Sequence, residues 1–162
     1  MRCGKGKLFM NVHISKKAEL FHKAVEDIWI AEQIWKVTPN NAVWHCAQAA
    51  EKTMKGFLRC FNKEYGYDHN LNTLLDAVEE LTELSKDATD YIQYLNRFES
   101  KLRYKNLSSD PTAEEAKTAI ARAKTIMSEF AKKQSISDFM KEAEEVHLKI
   151  LKANLKEDSQ AE

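Results

Sequence analysis

The sequence is poor in glycine and proline, the two residue types that commonly end strands and form tight turns. Its 162 residues include only four glycines and two prolines. Because turns between strands use these residues heavily, their scarcity favours long helices joined by short polar connections. The length suits one domain with one core and is short for two. Hydrophobic residues make up 43% and charged residues 31% of the chain, which argues against disorder.

The chain also lacks an excess of charge of either sign. Its 25 basic and 25 acidic side chains cancel. Extended binding of nucleic acid usually requires a basic excess, because each phosphate contact uses a lysine or an arginine. The balance therefore argues against a dedicated nucleic-acid-binding protein, although a local basic patch fits within a neutral total.

Cysteines and long apolar runs are likewise scarce. Cys3, Cys46 and Cys60 form no C-x-x-C pair, and their odd number disfavours a disulfide framework or a zinc site. No long apolar stretch follows the basic residues of the first ten positions, so we expect no signal peptide. No run approaches the roughly 18 apolar residues of a membrane helix. We therefore expect a cytoplasmic protein without membrane contact.

Apolar residues recur at steps of three and four from about Ser15 onward, which is the period of amphipathic helices. Trp29 in the first helix and Leu81 in the third are among the side chains predicted to face the core. The pattern predicts about six helices, which begin near Ser15, Asn40, His69, Asp87, Thr112 and Ser135.

The predicted boundaries follow from capping chemistry. Pro39 closes the first helix, because proline disfavours helical geometry in the residue before it. Thr112 and Glu115 form a capping box for the fifth helix. The other predicted helix starts are Asn40 or Asn41 for the second, His69 or Asn70 for the third, and Asp87 or Thr89 for the fourth.

The expected fold is all-α. Short connections predict an antiparallel bundle of four to five core helices plus an extra C-terminal helix. We divide the chain into an N-terminal arm (1–14), a helical bundle (15–134) and an additional C-terminal helix with a charged tail (135–162). The last helix has a narrow apolar stripe, and the sequence leaves open whether it covers the bundle or contacts a second chain.

Polar residues that could carry function cluster beside the apolar stripe of the second helix. They are His45, Gln48, Glu51, Lys52 and Lys55. Glu51 precedes Lys55 by four positions, which is the favourable order for a helical ion pair. The cluster is either a solvated face, stabilised by a few tenths of a kcal/mol, or a polar wall facing a groove.

Further candidates lie at helix ends. His69 opens the third helix and could cap it, donate to a phosphate or remain in solvent; the positive helix end opposes its protonation. Arg97, Arg103 and Tyr104 lie at the end of the fourth helix, where basic groups are favoured electrostatically. Arg103 could instead bind a phosphate or a base, with Tyr104 stacking on the base.

Several signatures of enzymes and metal sites are absent. The chain has no glycine-rich phosphate loop, no H-E-x-x-H and no G-x-S-x-G. His13, His22 and His147 have no ligand three or four positions away other than acids on the same helical face. Glu144-x-x-His147 occurs once, whereas di-metal bundles use paired copies. We therefore expect no metal and no cofactor.

Three stretches together resemble the HEPN family (higher eukaryotes and prokaryotes nucleotide-binding). Residues 45–58 read HCAQAAEKTMKGFL, similar to the family's run of small residues followed by Glu-Lys, a further Lys and large apolar residues. Residues 69–75 read HNLNTLL, similar to its His-Asp-Leu stretch with paired leucines. Residues 102–104 read LRY, similar to its Arg-Tyr-Pro element. Order and spacing agree over about residues 16 to 133.

The resemblance implies a bundle of four or five antiparallel helices that is often dimeric. Family members are either metal-independent ribonucleases or forms that bind nucleotides or accompany minimal nucleotidyltransferases. The ribonucleases carry an Arg followed after four to six residues by a His. Arg97, Arg103 and Arg122 have no histidine at that spacing. Lys105 replaces the family's proline and Asn70 its acidic residue.

We therefore expect a non-catalytic HEPN module that forms a homodimer and binds a nucleotide or a partner protein, such as a minimal nucleotidyltransferase. No catalytic residue is assigned. One alternative is a toxin-type ribonuclease with a noncanonical site that uses Arg103 and His69, and another is a structural dimerisation protein. The expected ligand-binding residues are Lys52, Lys55, His69, Arg97, Arg103 and Tyr104.

Overall fold

The computed structural model of the protein describes residues 12–67, 69–99 and 110–158, and all regular secondary structure in these ranges is α-helical. This confirms the predicted all-α fold. None of the helices in these ranges combines the length and the apolar character that crossing a bilayer requires. The helices are α1 Glu19–Ile34, α2 Pro39–Cys60, α3 Leu71–Glu79, α4 Lys86–Glu99, α5 Ala113–Ala131 and α6 Ser137–Asp158.

Helix α2 is the centre of the bundle and contacts α1, α3, α4 and α5. Ala47, Ala49 and Ala50 are fully buried, and such small side chains let neighbouring helices approach closely. Helix α1 runs antiparallel to α2. Glu19 at the start of α1 pairs with Arg59 near the end of α2 at 3.7 Å, whereas the later Asp27 meets the earlier His45 of α2.

Helix α6 packs against α1 and α5 of its own chain. Met140, Ala143 and Val146 in its first half are buried. Leu148 and Leu155 further along are 53% and 69% exposed. The first part of α6 therefore covers the bundle, which is one of the two arrangements that the sequence left open.

Two predicted caps are confirmed. The Asn70 side chain accepts a hydrogen bond from the Asn72 backbone N–H at 2.9 Å and caps α3. Thr112 and Glu115 form both halves of the capping box of α5: Thr112 N–H donates to Glu115 at 2.7 Å, and Glu115 N–H donates to the Thr112 hydroxyl at 3.2 Å.

The predicted start of α2 was wrong. The helix begins at Pro39, with Thr38 before it making no side-chain cap, so Asn40 and Asn41 lie inside the first turn. Proline suits this first position because its fixed φ matches the helix and its missing N–H would have no helical partner there.

The predicted cap of α4 was also wrong. The Ser85 hydroxyl accepts from the Ala88 N–H at 3.2 Å, so Ser85 takes the place predicted for Asp87 or Thr89. Glu129 of α5 in turn accepts from the Ser85 N–H at 2.6 Å and from its hydroxyl. A contact from another helix thus selects the cap.

Two side chains predicted to face the core are exposed. Trp29 and Leu81 are each 39% exposed. Ile28 occupies the core position. Trp29 is the next residue along the helix, so its side chain points away from the interior. Leu81 follows the end of α3 at Glu79, so the helical register no longer directs it inward.

Gly56 is required where α1 crosses α2. A Cβ atom built on Gly56 would lie 2.8 Å from Cε1 of the fully buried Phe21 ring. The Gly56→Ala change gains about 1 kcal/mol of helix propensity, whereas overpacking a core costs about 1–3 kcal/mol. We expect a net loss of about 1 kcal/mol in urea denaturation. In a Phe21→Leu background the same change should cost less, and equal costs in both backgrounds would contradict the assigned contact.

Glu142 ties the segment before α1 to α6. It accepts from the Ser15 N–H at 2.8 Å and from the Ser15 hydroxyl at 2.7 Å, and these bonds lower the pKa of its carboxyl group. A lowered pKa adds stability above the unfolded-state value, about 4.3 for glutamate, and that stability is lost as pH falls through the folded-state value. Glu142→Gln should therefore lower Tm at pH 7, with a difference from wild type that shrinks towards pH 3. A difference independent of pH would contradict this, and Glu145→Gln, exposed on the same helix, is the control.

Candidate functional site

The polar residues of α2 form a row inside the molecule rather than a solvated face. Their spacing of three or four places them along one side of the helix. Gln48 and Glu51 are only 8% and 4% exposed, and the other three are partly buried. The members of this polar row are His45, Gln48, Glu51, Lys52 and Lys55.

Asp27 of α1 lies against the first part of the polar row. The residue as a whole is 5% exposed. It accepts a hydrogen bond from Nδ1 of His45 at 2.7 Å and forms an ion pair with Lys52. Removing a carboxylate from water costs several kcal/mol unless such partners compensate. Lys52 therefore neutralises a buried acid.

Glu51 and Glu99 lie at the second part of the row. Nε2 of Gln48 donates to Glu99 at 2.9 Å and to Glu51 at 3.3 Å. Nζ of Lys55 donates to Glu51 at 2.5 Å, and Nδ1 of His69 lies 3.1 Å from the same oxygen. Glu51 thus joins α2 to the start of α3, and Gln48 joins it to the end of α4.

An open pocket adjoins Lys55 and His69 where α2 leads into the loop before α3. It has a volume of about 630 Å³, and the other described residues that line it are Glu64, Tyr65, Gly66 and Tyr67. Nζ of Lys55 lies 5.6 Å from the centre of the Tyr65 ring. Tyr67 is fully exposed. We call this the Lys55–His69 pocket.

The beginning of α3 is not an open anion site. Its first backbone N–H, from Leu71, donates to Oδ1 of Asn96 at 2.8 Å. The next one, from Asn72, is bonded to the Asn70 cap. The first two backbone donors at the positive end of the helix are therefore satisfied by the protein. Binding of a phosphate group next to His69 would depend on side-chain donors instead.

The residues predicted to bind a ligand are only partly brought together. Lys55 and His69 share the Lys55–His69 pocket, whereas Lys52 is directed to Asp27. Arg97 is exposed and lies on Tyr94, outside the pocket lining. Arg103 and Tyr104, which were predicted at the end of the fourth helix, are outside the described residues.

Arg97 belongs to an aromatic cluster on α4 and α5. Its guanidinium lies 4.6 Å from the Tyr94 ring centre and 5.5 Å from that of Phe98, and Arg122 of α5 lies 4.0 Å from the Tyr94 ring. Burial raises the pKa of Tyr94, an effect that the two arginines oppose. Such stacking accounts for Arg97 without a ligand.

The thiol beside the polar row is not a nucleophile. Cys46 is fully buried, and burial, aided by the nearby carboxylates of Asp27 and Glu32, raises its pKa to about 12. The thiolate is the reactive form of cysteine, so Cys46 acts as a core residue.

Sequence reasoning missed Asp27 and Glu99, although a signal for each was present. Asp27 lies in register with the buried Ala24 and Ala31 of α1. Glu99 follows Leu95 by four positions on the buried stripe of α4. An acid in step with an apolar stripe indicates a buried charge, which requires a partner.

One group of side chains at this site could hold a cation. Glu51, His69 and Glu99 each offer a ligand atom, and these atoms lie within 4.8 Å of one another. Lys55 and Gln48 already donate to the two carboxylates, so a cation would have to displace those bonds.

Fold and site define a class: an all-α bundle whose central helix carries an internally paired row of charged side chains. The family model described as HEPN domain matches residues 17–134. The chain belongs to the HEPN family, as its sequence resemblance indicated. No curated protein matches it.

Two solved structures are similar to this one. ST0689, an archaeal HEPN homologue, aligns with a TM-score of 0.60 and 20% identity over 72% of this chain and 96% of its own. TT1696 from Thermus thermophilus aligns with a TM-score of 0.64 and 19% identity over 74% of this chain and 98% of its own. At these identities the likeness concerns the fold alone.

The Asp27 contacts predict a large effect of a small change. Asp27→Asn removes the negative charge that compensates the partly buried Lys52. Breaking a buried pair from one side costs about 3 kcal/mol or more, which urea denaturation would show. Glu80→Gln is the matched control, because Glu80 pairs with Lys63 at the surface and such pairs contribute at most about 1 kcal/mol. Equal losses in the two variants would contradict the role of Asp27.

Proposed function

We propose that the protein is a non-catalytic HEPN module that binds a nucleotide in the Lys55–His69 pocket. The observation that carries the proposal is the meeting of an ammonium, an imidazole and two tyrosine rings around one hollow: Lys55, His69, Tyr65 and Tyr67. The pocket volume, about 630 Å³, falls within the range of about 300–1,000 Å³ that small-molecule sites occupy.

The donors at the pocket are suited to a phosphate group. An ammonium has three N–H donors and no acceptor, and one of those of Lys55 is bonded to Glu51. Within the described residues the other two donors of this 12% exposed side chain have no hydrogen-bond partner, and the proposal assigns them to phosphate oxygens. His69 is 57% exposed through its side chain and adds a ring nitrogen beside the same ammonium.

The aromatic side chains are suited to a base. Tyr67 is fully exposed although it is a large ring, and Tyr65 is partly buried beside Lys55. Stacking of a base on an aromatic ring is worth about 1–3 kcal/mol and tolerates any base. The proposal therefore concerns nucleotides as a class.

The non-catalytic part of the proposal rests on the sequence. No arginine is followed by a histidine at the spacing of the family's ribonucleases. At the pocket, His69 is held by Glu51, a carboxylate that is itself paired with Lys55. We further propose that the module forms a homodimer. The face that carries the Lys55–His69 pocket is also its proposed contact with a partner protein, such as a minimal nucleotidyltransferase.

Calorimetric titration of the full chain with ATP, GTP and a dinucleotide tests the proposal. We expect saturable binding that weakens about tenfold in Tyr67→Ser, because loss of base stacking costs about 1–3 kcal/mol, and also in His69→Gln. His13→Gln, an exposed histidine away from the pocket, is the matched control and should bind as wild type.

Two results would count against the proposal. Absence of binding at millimolar concentrations of all three ligands would rule out nucleotide binding and leave binding of a partner protein as the function. Cleavage of total RNA by the wild-type chain, lost in His69→Gln, would replace the non-catalytic module by a ribonuclease.

A further inference from the structure

Two histidines and a glutamate converge where α1 meets α6, away from the polar row. His22 and Glu26 lie one turn apart on α1, and His147 comes from α6. The two imidazole rings have centroids 6.1 Å apart. One ligand atom from each of the three residues lies within 4.8 Å of the other two.

Two ring nitrogens in this cluster have no hydrogen-bond partner within the described part of the chain. They are Nε2 of His22 and Nε2 of His147, and both atoms are buried. His147 as a whole is only 8% exposed. The Glu26 carboxylate lies 3.9 Å from Nε2 of His22, which is beyond hydrogen-bond length.

An unsatisfied buried polar atom costs about 1–3 kcal/mol, and folded proteins contain few of them. Here two such atoms belong to imidazoles on different helices whose ring centroids are 6.1 Å apart, near a carboxylate. A group that accepts electron pairs from both imidazoles would satisfy them together.

We propose that His22, Glu26 and His147 bind a divalent transition-metal ion, with Zn²⁺ as the fitting example. Two imidazoles and one carboxylate are a common zinc ligand set, which leaves a fourth position for water. Magnesium and calcium prefer sites built of oxygen ligands, and this cluster supplies one carboxylate.

The three ligand atoms lie within 4.8 Å of one another, so side-chain movement would bring them to zinc-binding distances. Zinc bonds of about 2.0–2.1 Å in a tetrahedral site place neighbouring ligand atoms about 3.3 Å apart. The 3.9 Å separation of His22 and Glu26 is close to this value. The Glu26 side chain is 44% exposed, so it can move towards the imidazoles and also leaves an entry path for the ion.

The ionisation of His147 is compatible with this role. Burial, followed by the neighbouring His22, lowers the pKa of His147, whereas Glu26 raises it. A neutral imidazole is the form that binds a metal.

The sequence alone did not indicate this site. His22 and Glu26 have the spacing of any helical histidine–acid pair, and the third ligand lies on the last helix of the chain. The expectation of no metal rested on local spacing, which does not detect ligands that only folding brings together.

Titration of the untagged full chain, freed of metal with a chelator, tests the proposal. Calorimetry should show one equivalent of Zn²⁺ bound, and Co²⁺ should give visible absorption bands that Zn²⁺ abolishes. Cu²⁺ should quench the fluorescence of Trp29, whose ring centre lies 6.0 Å from that of His147.

Glu26→Gln and His22→Gln should weaken Zn²⁺ binding at least tenfold and abolish the Co²⁺ bands. The Glu26 side chain is 44% exposed, so its variant should fold normally, as circular dichroism would check. His69→Gln removes a ligand from the other candidate cluster and should bind Zn²⁺ as wild type does.

Two outcomes would overturn the proposal. One is no detectable Zn²⁺ binding by the wild-type chain at micromolar concentrations of the ion. The other is binding that is unchanged in both Glu26→Gln and His22→Gln, which would place the ion elsewhere. Nucleotide binding at the Lys55–His69 pocket is measured separately and does not depend on either outcome.

Discussion

The burial of Asp27 between α1 and α2 constrains much of the molecule. A carboxylate in that position is tolerated only if the facing helix supplies its partners, and α2 does so with His45 and Lys52. A shift of α2 along α1 would separate these groups, so the ion pair fixes the relative position of the two helices. Gly56 fixes their distance in the same interface, because the Phe21 ring occupies the space of a side chain. Charge and shape thus specify one packing of the central pair.

The same constraint determines what the polar row can offer to a ligand. The charged side chains of the row are largely paired inside the protein: Lys52 with Asp27 of α1, and Glu51 with Lys55. The charge left for a ligand is therefore small. A ligand would use the hydrogen-bond donors that these pairs leave unused. Donors held in place before binding lose little conformational freedom when a ligand arrives. Recognition at the Lys55–His69 pocket would depend on these fixed donor positions more than on net charge.

Local patterns in the sequence were sufficient to predict the helices and some of their ends. The capping box of Thr112 and Glu115 involves residues three apart, and it forms as predicted. The cap of α4 could not be chosen in the same way, because Ser85 is held by Glu129 from another helix. The polar row was visible in the sequence, but its burial was not, since that depends on the helices packed around α2. Lys55 and His69 meet because α3 starts beside α2, a contact that no local spacing encodes.

The position of α6 bears on where the folding unit ends. The family match stops at residue 134, yet the hydrophobic core continues through Ile136, Met140 and Ala143. These side chains shield parts of α1 and α5 that would otherwise contact water. The segment that the family shares is thus shorter than the segment that this chain needs to complete its hydrophobic core. A fragment trimmed to the common helices would expose an apolar surface, and such surfaces favour aggregation.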